Sequence, residues 1–143
     1  MGLTRRSHCI KENKVLATRI VEELINKNNP AIANEIFAAD FVNHNPQFGV
    51  TPDLEGLKLM IALLHQGFPD IHLTIEDMIA ENDKVVLRIR STGRHTGEFL
   101  GIQPTTKSID SRQISIIRIE EGKVRERWNV TDQLEVMRQL GLM

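Results

Sequence analysis

Hydrophobic residues follow a helical spacing in the first half of the chain and a strand spacing in the second half. Apolar residues recur at three- and four-residue steps over residues 15–25 and 55–66, which predicts two amphipathic helices with a short helix over 31–38 between them. From Asp70 onward apolar and polar residues alternate, as is typical of half-buried strands. The predicted strands span 71–79, 84–92, 108–120 and 123–131. A last helix is predicted from Asp132 onward.

The order of these elements predicts an α+β fold, because the helices come first and the strands that follow are joined by tight turns. Glu81-Asn82-Asp83 and Glu121-Gly122 are the predicted turns, so the four strands should form one bent antiparallel sheet. The helix over 15–25 is expected to cross its concave side, since each element has one apolar face to bury. A strongly curved sheet covered in this way leaves a mostly apolar cavity with a few polar groups, which is where a site is expected.

The outer face of the predicted sheet still carries apolar residues, among them Val86, Ile114 and Ile116. An apolar sheet face is stabilised when it is buried against another copy of the same chain. The sequence therefore predicts a homodimer or a homotetramer.

Composition narrows the class of protein. With 143 residues, 41% of them hydrophobic, the chain is predicted to form one domain over 1–143, with residues 1–11 as a flexible N-terminal extension. Eighteen basic and nineteen acidic side chains give a net charge of −1 without a long run of either sign, which argues against a nucleic-acid partner. No stretch resembles a signal peptide or a membrane span, and the single cysteine, Cys9, comes with no metal-ligand spacing. These features predict a cytoplasmic protein that uses no metal.

Four segments resemble the SnoaL-like proteins of the nuclear transport factor 2 superfamily. They are FPDIHL at 68–73, TGRHTGEFLGIQPTTK at 92–107, RIEEGKVRERW at 118–128, and Asp132 followed by RQLG at 138–141. The resemblance implies a cone-shaped α+β barrel with a pocket between the helices and the bent sheet. It also implies an activity, since members of this family include polyketide cyclases that close a ring in a polyketide ester by aldol condensation without a cofactor.

The resemblance further implies where the acid–base groups of a cyclase should lie. In the cyclases an Asp on the last strand acts as the general acid–base, and a His lies nearby on the preceding strand. When the hairpins are matched through RIEEGK, Asn129 stands at the position of that Asp and Ser115 at the position of that His. Neither side chain titrates near neutral pH, so the mechanism of the cyclases does not carry over unchanged.

Asp132 and His95 are then the titratable candidates for proton transfer. Asp132 has an equal claim to be the N-cap of the last helix, and His95 to be a structural hydrogen-bonding residue. Alternation along the last strand predicts that Glu126, Trp128 and Asp132 point inward, so that Asp132 is buried beside Trp128. In that case Asn129 points away unless a bulge intervenes. The full set of candidate substrate-binding residues is Trp128, Asn129, Ser115, Phe68, Phe99 and Asn43.

Two functions fit this sequence. The first is a cyclase-type enzyme that acts on a small hydrophobic ester held in the pocket. The alternative is a non-catalytic binding or scaffolding protein that has lost the acid–base pair at Asn129 and Ser115. The ketosteroid-isomerase mechanism, which also occurs in this superfamily, needs a tyrosine hydroxyl, and the chain contains no tyrosine.

Overall fold

The computed structural model describes residues 9–143. The predicted extension over 1–11 therefore lies largely outside the described residues, and at its end the first helix has already begun at Ile10.

Helices form at the predicted places. Helix α1 (Ile10–Arg19) continues as a π-helical segment (Ile20–Asn26), which is followed by a 3₁₀ turn (Pro30–Ile32) and the short helix α2 (Ala33–Ile36). Helix α3 (Leu54–Gly67) begins where the Asp53 carboxylate accepts a hydrogen bond of 2.9 Å from the Gly56 N–H, and helix α4 (Gln133–Gln139) ends the fold. None of the helices within residues 9–143 has the length and apolar character needed to cross a membrane.

Five strands form one sheet, in the spatial order β1-β5-β4-β3-β2. They span Phe37–Asn43 (β1), His72–Glu81 (β2), Lys84–Arg94 (β3), Ser108–Glu120 (β4) and Lys123–Thr131 (β5). The four predicted strands pair antiparallel, as expected, and β1 pairs parallel with β5. Both predicted hairpin turns are present, and Glu121 and Gly122 both take positive φ, as a two-residue turn of this kind requires.

Strand β1 was not predicted. Its first two residues fall within the helix predicted over 31–38, and no element is predicted for the rest of it. In β1 the buried side chains are Phe37, Ala38, Phe41 and Asn43, a spacing without period two. The reason is a register shift in the pairing with β5, which falls between Phe37 and Val42.

The core lies between the concave face of the sheet and the helices, and this confirms the predicted α+β layout. The π-helical segment contributes Val21 and Leu24, and α3 contributes Leu57 and Ile61. On the sheet side the buried residues include Val85, Leu87, Ile89, Ile117, Ile119 and Val124. The helices thus cover the concave side, as the apolar stripes predicted.

A bulge in β5 reverses the alternation on which the orientation of Trp128 was predicted. Arg118 pairs with Glu126 but its neighbour Ile119 pairs with Val124, so Arg125 is an extra residue in the strand. Val124 points inward and is fully buried, whereas Trp128 pairs with Ile116 on the outer face. The predicted inward orientation of Trp128 and Glu126 is therefore wrong.

Candidate functional site

A small cavity lies between the π-helical segment, α3 and the concave face of the sheet. It is largely enclosed and has a volume of about 50 Å³. Most of its wall is aliphatic, and the polar residues on the wall come from β4 and β5: Gln113, Ser115 and Arg127. One wall is the π-helical segment, a rare conformation that is frequent at functional sites.

The polar part of the wall continues into a hydrogen-bond network on β4 and β5. The Ser115 hydroxyl donates to Oδ1 of Asn129, the cross-strand partner of Ser115, and both residues are buried. Asn129 Nδ2 donates to Thr131 Oγ1 at 2.9 Å, and Thr131 Oγ1 donates to Gln113 Oε1 at 3.2 Å. The bulge at Arg125 turns Asn129 inward, so the two positions that the resemblance singled out lie together beside the cavity. Both side chains are neutral and hydrogen-bonded to each other.

Arg127 is the ionisable residue among those that line the cavity. Its Nη1 donates to Asn43 Oδ1 at 3.2 Å, and no carboxylate within residues 9–143 forms an ion pair with it. Asn43 Oδ1 also accepts from the Asn45 N–H at 3.1 Å. The Arg127 side chain is half-buried, and desolvation lowers the pKa of its guanidinium to about 10. Arg127 therefore remains a cation at neutral pH.

His95 lies in the connection between β3 and β4, outside the cavity lining. It is fully buried, and its Nδ1 accepts a hydrogen bond of 3.1 Å from the Thr105 N–H, so the ring proton of the neutral form is on Nε2. Its Nε2 has no hydrogen-bond partner among the described residues. The ring stacks on Phe68, with ring centroids 5.3 Å apart, and Phe99 packs edge-on against Phe68. These three predicted site residues form an aromatic cluster that holds the connecting loop.

Close packing explains why the residue at position 97 of the same loop is a glycine. The Gly97 N–H donates to the Gly67 carbonyl at 3.1 Å, and a Cβ at Gly97 would lie 2.0 Å from the carbonyl oxygen of Gln66. Only glycine lets the loop approach the end of α3 this closely.

Asp132 is exposed and caps helix α4. Its Oδ1 accepts a hydrogen bond of 3.2 Å from the Glu135 N–H, which is the geometry of an N-cap. Of the two alternatives for Asp132, the local geometry favours the cap, and the expected burial of this carboxylate beside Trp128 is wrong.

Trp128 stacks on His44 at the outer face of the sheet. Their rings are nearly parallel, with centroids 4.8 Å apart. His44 Nε2 lies 2.9 Å from Glu126 Oε1, and the other oxygen of Glu126 accepts from Arg118. Arg118 and His44 together hold the pKa of Glu126 below its usual value. Trp128 thus belongs to an outer cluster, on the opposite side of the sheet from Asn129.

Reasoning from the sequence missed Arg127, Gln113 and Thr131. A signal for two of them was present: once the resemblance had placed Asn129 inward, period two also placed Arg127 and Thr131 on that face. Within residues 9–143 there is no cluster of three or more histidine, cysteine or acidic side chains able to hold a metal ion.

The fold and the cavity together define a class of protein. Helices cover the concave side of a bent, largely antiparallel sheet, and they enclose a mostly apolar cavity with its few polar groups at one place. The class is the α+β barrel that holds a small molecule between its helices and its sheet.

Comparisons with known proteins agree with this class. The model of the family described as SnoaL-like polyketide cyclase matches residues 15–140. Aklanonic acid methyl ester cyclase DnrD of Streptomyces peucetius is 41% identical over 101 residues, which cover 70% of this chain and 68% of DnrD. Aklanonic acid methyl ester cyclase DauD of Streptomyces sp. strain C5 is 41% identical over 111 residues, which cover 77% of this chain and 67% of DauD. The structure of TsrD from Streptomyces laurentii is similar over 93% of this chain and 97% of TsrD, with a TM-score of 0.83 and 27% identity.

The chain belongs to the SnoaL-like polyketide cyclase family. Its fold is that of nuclear transport factor 2-like proteins, and the family together with these relatives supports a cyclase-type enzyme.

Proposed function

We propose that this protein closes a ring in a small hydrophobic, polyketide-like ester by an intramolecular aldol reaction, without a metal or an organic cofactor. The observation that carries the proposal is the mostly apolar cavity whose polar groups gather on β4 and β5. Relatives that are 41% identical are named as cyclases of a polyketide methyl ester. An apolar cavity suits a hydrophobic substrate, and polar groups at one place suit the carbonyl oxygens that react.

The reaction is an isomerisation and needs no redox partner. A carbon between two carbonyl groups loses a proton and becomes an enolate. The enolate carbon attacks a second carbonyl group of the same molecule, a carbon–carbon bond forms, and the resulting alkoxide takes up a proton. A protein accelerates this sequence by holding the two carbons close together and by donating hydrogen bonds to the oxygens that become negative.

Orientation and hydrogen bonding would provide most of the acceleration in this chain. Asn129 and Ser115 replace the acid–base pair that the family resemblance implies, and neither side chain takes up or releases a proton near neutral pH. The proton lost from the carbon between the two carbonyl groups would then pass to solvent water. Loss of a positioned acid or base lowers a rate by roughly 100-fold to 10,000-fold, so we expect turnover to be slow.

The cavity volume sets a further condition on the proposal. About 50 Å³ is well below the ~300–1,000 Å³ of pockets that hold drug-sized ligands. A substrate that folds into a ring must therefore move the walls apart, and the helical wall is the one not fixed by strand pairing.

A turnover experiment tests the proposal. The substrate is a linear polyketide methyl ester with a 1,3-dicarbonyl unit and a second ketone, and the cyclised isomer is followed by liquid chromatography with mass detection. We expect the unmodified protein to speed ring closure above the rate in buffer. The double variant Ser115→His, Asn129→Asp restores a titratable pair at adjacent, cross-strand positions and should be faster still. Equal rates for protein and buffer, with both forms folded, would count against the proposal.

The alternative, a binding or scaffolding protein, is favoured by one observation. The Ser115 hydroxyl and the Asn129 amide are bonded to each other and to Thr131, so their hydrogen-bonding groups are already used. If the unmodified protein binds the ester without converting it, and only the double variant turns it over, the binding function is the correct one.

A further inference from the structure

Among the described residues, 9–143, Arg127 has no partner of opposite charge, although it lines a mostly apolar cavity. We propose that this cavity binds a ligand with an anionic oxygen group, a carboxylate or an enolate, on an apolar body, and that Arg127 pairs with that group. The proposal uses the cavity of the proposed function but does not depend on the reaction assigned to it.

The fold points Arg127 inward and fixes its position. Because Arg125 is the bulged residue of β5, Arg127 lies on the same face as Asn129. Strand β5 has neighbours on both sides, and Arg127 is paired with Ile117 of β4 and with Asn43 of β1. Its backbone is therefore held by strand pairing on both sides rather than by a loop.

Charge is the main argument. Other arginines near Arg127 have carboxylate partners: Arg125 pairs with Asp40 at 3.0 Å and Arg118 pairs with Glu126. Arg127 instead faces aliphatic residues of the cavity wall and donates to a neutral amide. A cation withdrawn from water without a counter-charge is unfavourable, and an anion bound beside it removes that cost.

Asn43 provides a second, independent observation. It is fully buried, and its Nδ2 donor has no hydrogen-bond partner among the described residues. The Asn43 oxygen accepts from both Arg127 and the Asn45 N–H, and these two bonds fix the orientation of the amide. Beyond its bond to Asn43, the Arg127 side chain has no further hydrogen bond to the described residues, and a two-oxygen anion matches the planar guanidinium in particular.

Binding of three small probes tests the proposal. They are phenylacetate, its neutral methyl ester, and dimedone, a cyclic 1,3-diketone that is an enolate at neutral pH. Ligand-observed NMR titration gives a dissociation constant for each. We expect both anions to bind at least about tenfold more tightly than the ester, which corresponds to ~1.4 kcal/mol. If phenylacetate binds and dimedone does not, the natural ligand is a carboxylate; the reverse result assigns an enolate.

Two variants separate Arg127 from a general effect of charge. Arg127→Met should abolish the preference for anions, whereas Arg112→Met removes an equal charge from an exposed position and should keep it. Arg127→Lys keeps the charge without the planar fork and should retain a weaker preference, which gives a test even if the Met variant does not fold. Circular dichroism checks the fold of each variant.

The proposal is overturned if the ester binds the unmodified protein as tightly as the anions do, if no anion binds at millimolar concentration, or if Arg127→Met keeps the preference. Ring closure is measured separately, in the turnover experiment on the methyl ester. Anion binding here together with no ring closure there would contradict the proposed reaction and leave the role of Arg127 intact.

Discussion

Replacing Arg127 with methionine should make the protein more stable. The substitution removes a charge that the folded protein desolvates without an ion-pair partner, and it puts an unbranched apolar side chain against the aliphatic cavity wall. Asn43 loses one donor, but its Oδ1 still accepts from the Asn45 N–H. The Asn43 oxygen therefore keeps a hydrogen bond in the variant.

The size of the effect follows from the pKa of Arg127. Burial lowers this pKa from its ordinary value to about 10, a difference that corresponds to roughly 3 kcal/mol against the charged folded form. Loss of the hydrogen bond to Asn43 offsets about 1 kcal/mol. We expect a net gain of roughly 2 kcal/mol in the free energy of unfolding, or roughly 6 °C in melting temperature for a chain of this size.

Urea unfolding followed by tryptophan fluorescence measures this gain, since Trp128 is the single tryptophan. The matched control is Arg112→Met, which removes an exposed arginine and should change stability by about 1 kcal/mol at most. The comparison should also depend on pH. As the pH rises above about 10 the folded chain loses the Arg127 proton while the unfolded chain still keeps it, so the unmodified protein gains stability relative to the variant. A variant less stable than its parent, or a difference that ignores pH in this range, would refute the reasoning.

Three further predictions concern other parts of the molecule. Asp132→Asn should leave the free energy of unfolding nearly unchanged and the rate of ring closure within a few-fold of the parent, because asparagine is also a good N-cap. Asp132→Ala should lower the free energy of unfolding by about 1 kcal/mol. A roughly 100-fold loss of turnover in the Asn variant would restore Asp132 as a catalytic candidate. Light scattering should give at least twice the 16.3 kDa of one chain, and Ile114→Glu on the outer sheet face should lower that mass; a monomer at micromolar concentration contradicts the predicted oligomer. Arg90 and Arg112 hold the pKa of Asp110 well below its usual range, so stability that this carboxylate provides at neutral pH is lost as the pH falls below about 4. The melting temperature of Asp110→Asn should therefore fall less steeply with pH in this acid range than that of the parent. The same fall in both proteins would refute this.

Much of the fold could be predicted because several elements are long and regular. Strands β2 to β5 each contain a stretch in which one residue in two is apolar, and the turns between β2 and β3 and between β4 and β5 contain residues that accept positive φ, such as Asn82 and Gly122. Local pattern and tertiary structure agree in these elements, so the sequence was sufficient there.

Strand β1 shows where local pattern was insufficient. Its buried residues Phe37, Phe41 and Asn43 follow neither period two nor a continuous helical stripe, because the pairing with β5 shifts along the strand. The residues before it, in the 3₁₀ turn and α2, favoured extension of the helix into Phe37. A strand whose pairing is irregular takes its conformation from its neighbour, and a single-sequence pattern does not contain that information.

The bulge at Arg125 had the largest consequence for the site. Without it, alternation from the buried Val124 would direct Glu126 and Trp128 towards the cavity, and the cavity would contain a carboxylate and an indole ring. With it, Arg127 and Asn129 take those places, while Glu126 pairs with Arg118 on the outer face. One extra residue in a strand therefore replaces a negative group by a positive one inside the cavity. The cavity can then stabilise a negatively charged ligand rather than a positively charged one. The chemistry of this site depends on that local irregularity more than on the regular parts of the fold, which is why the residue composition of β5 predicted a strand correctly and its inner face incorrectly.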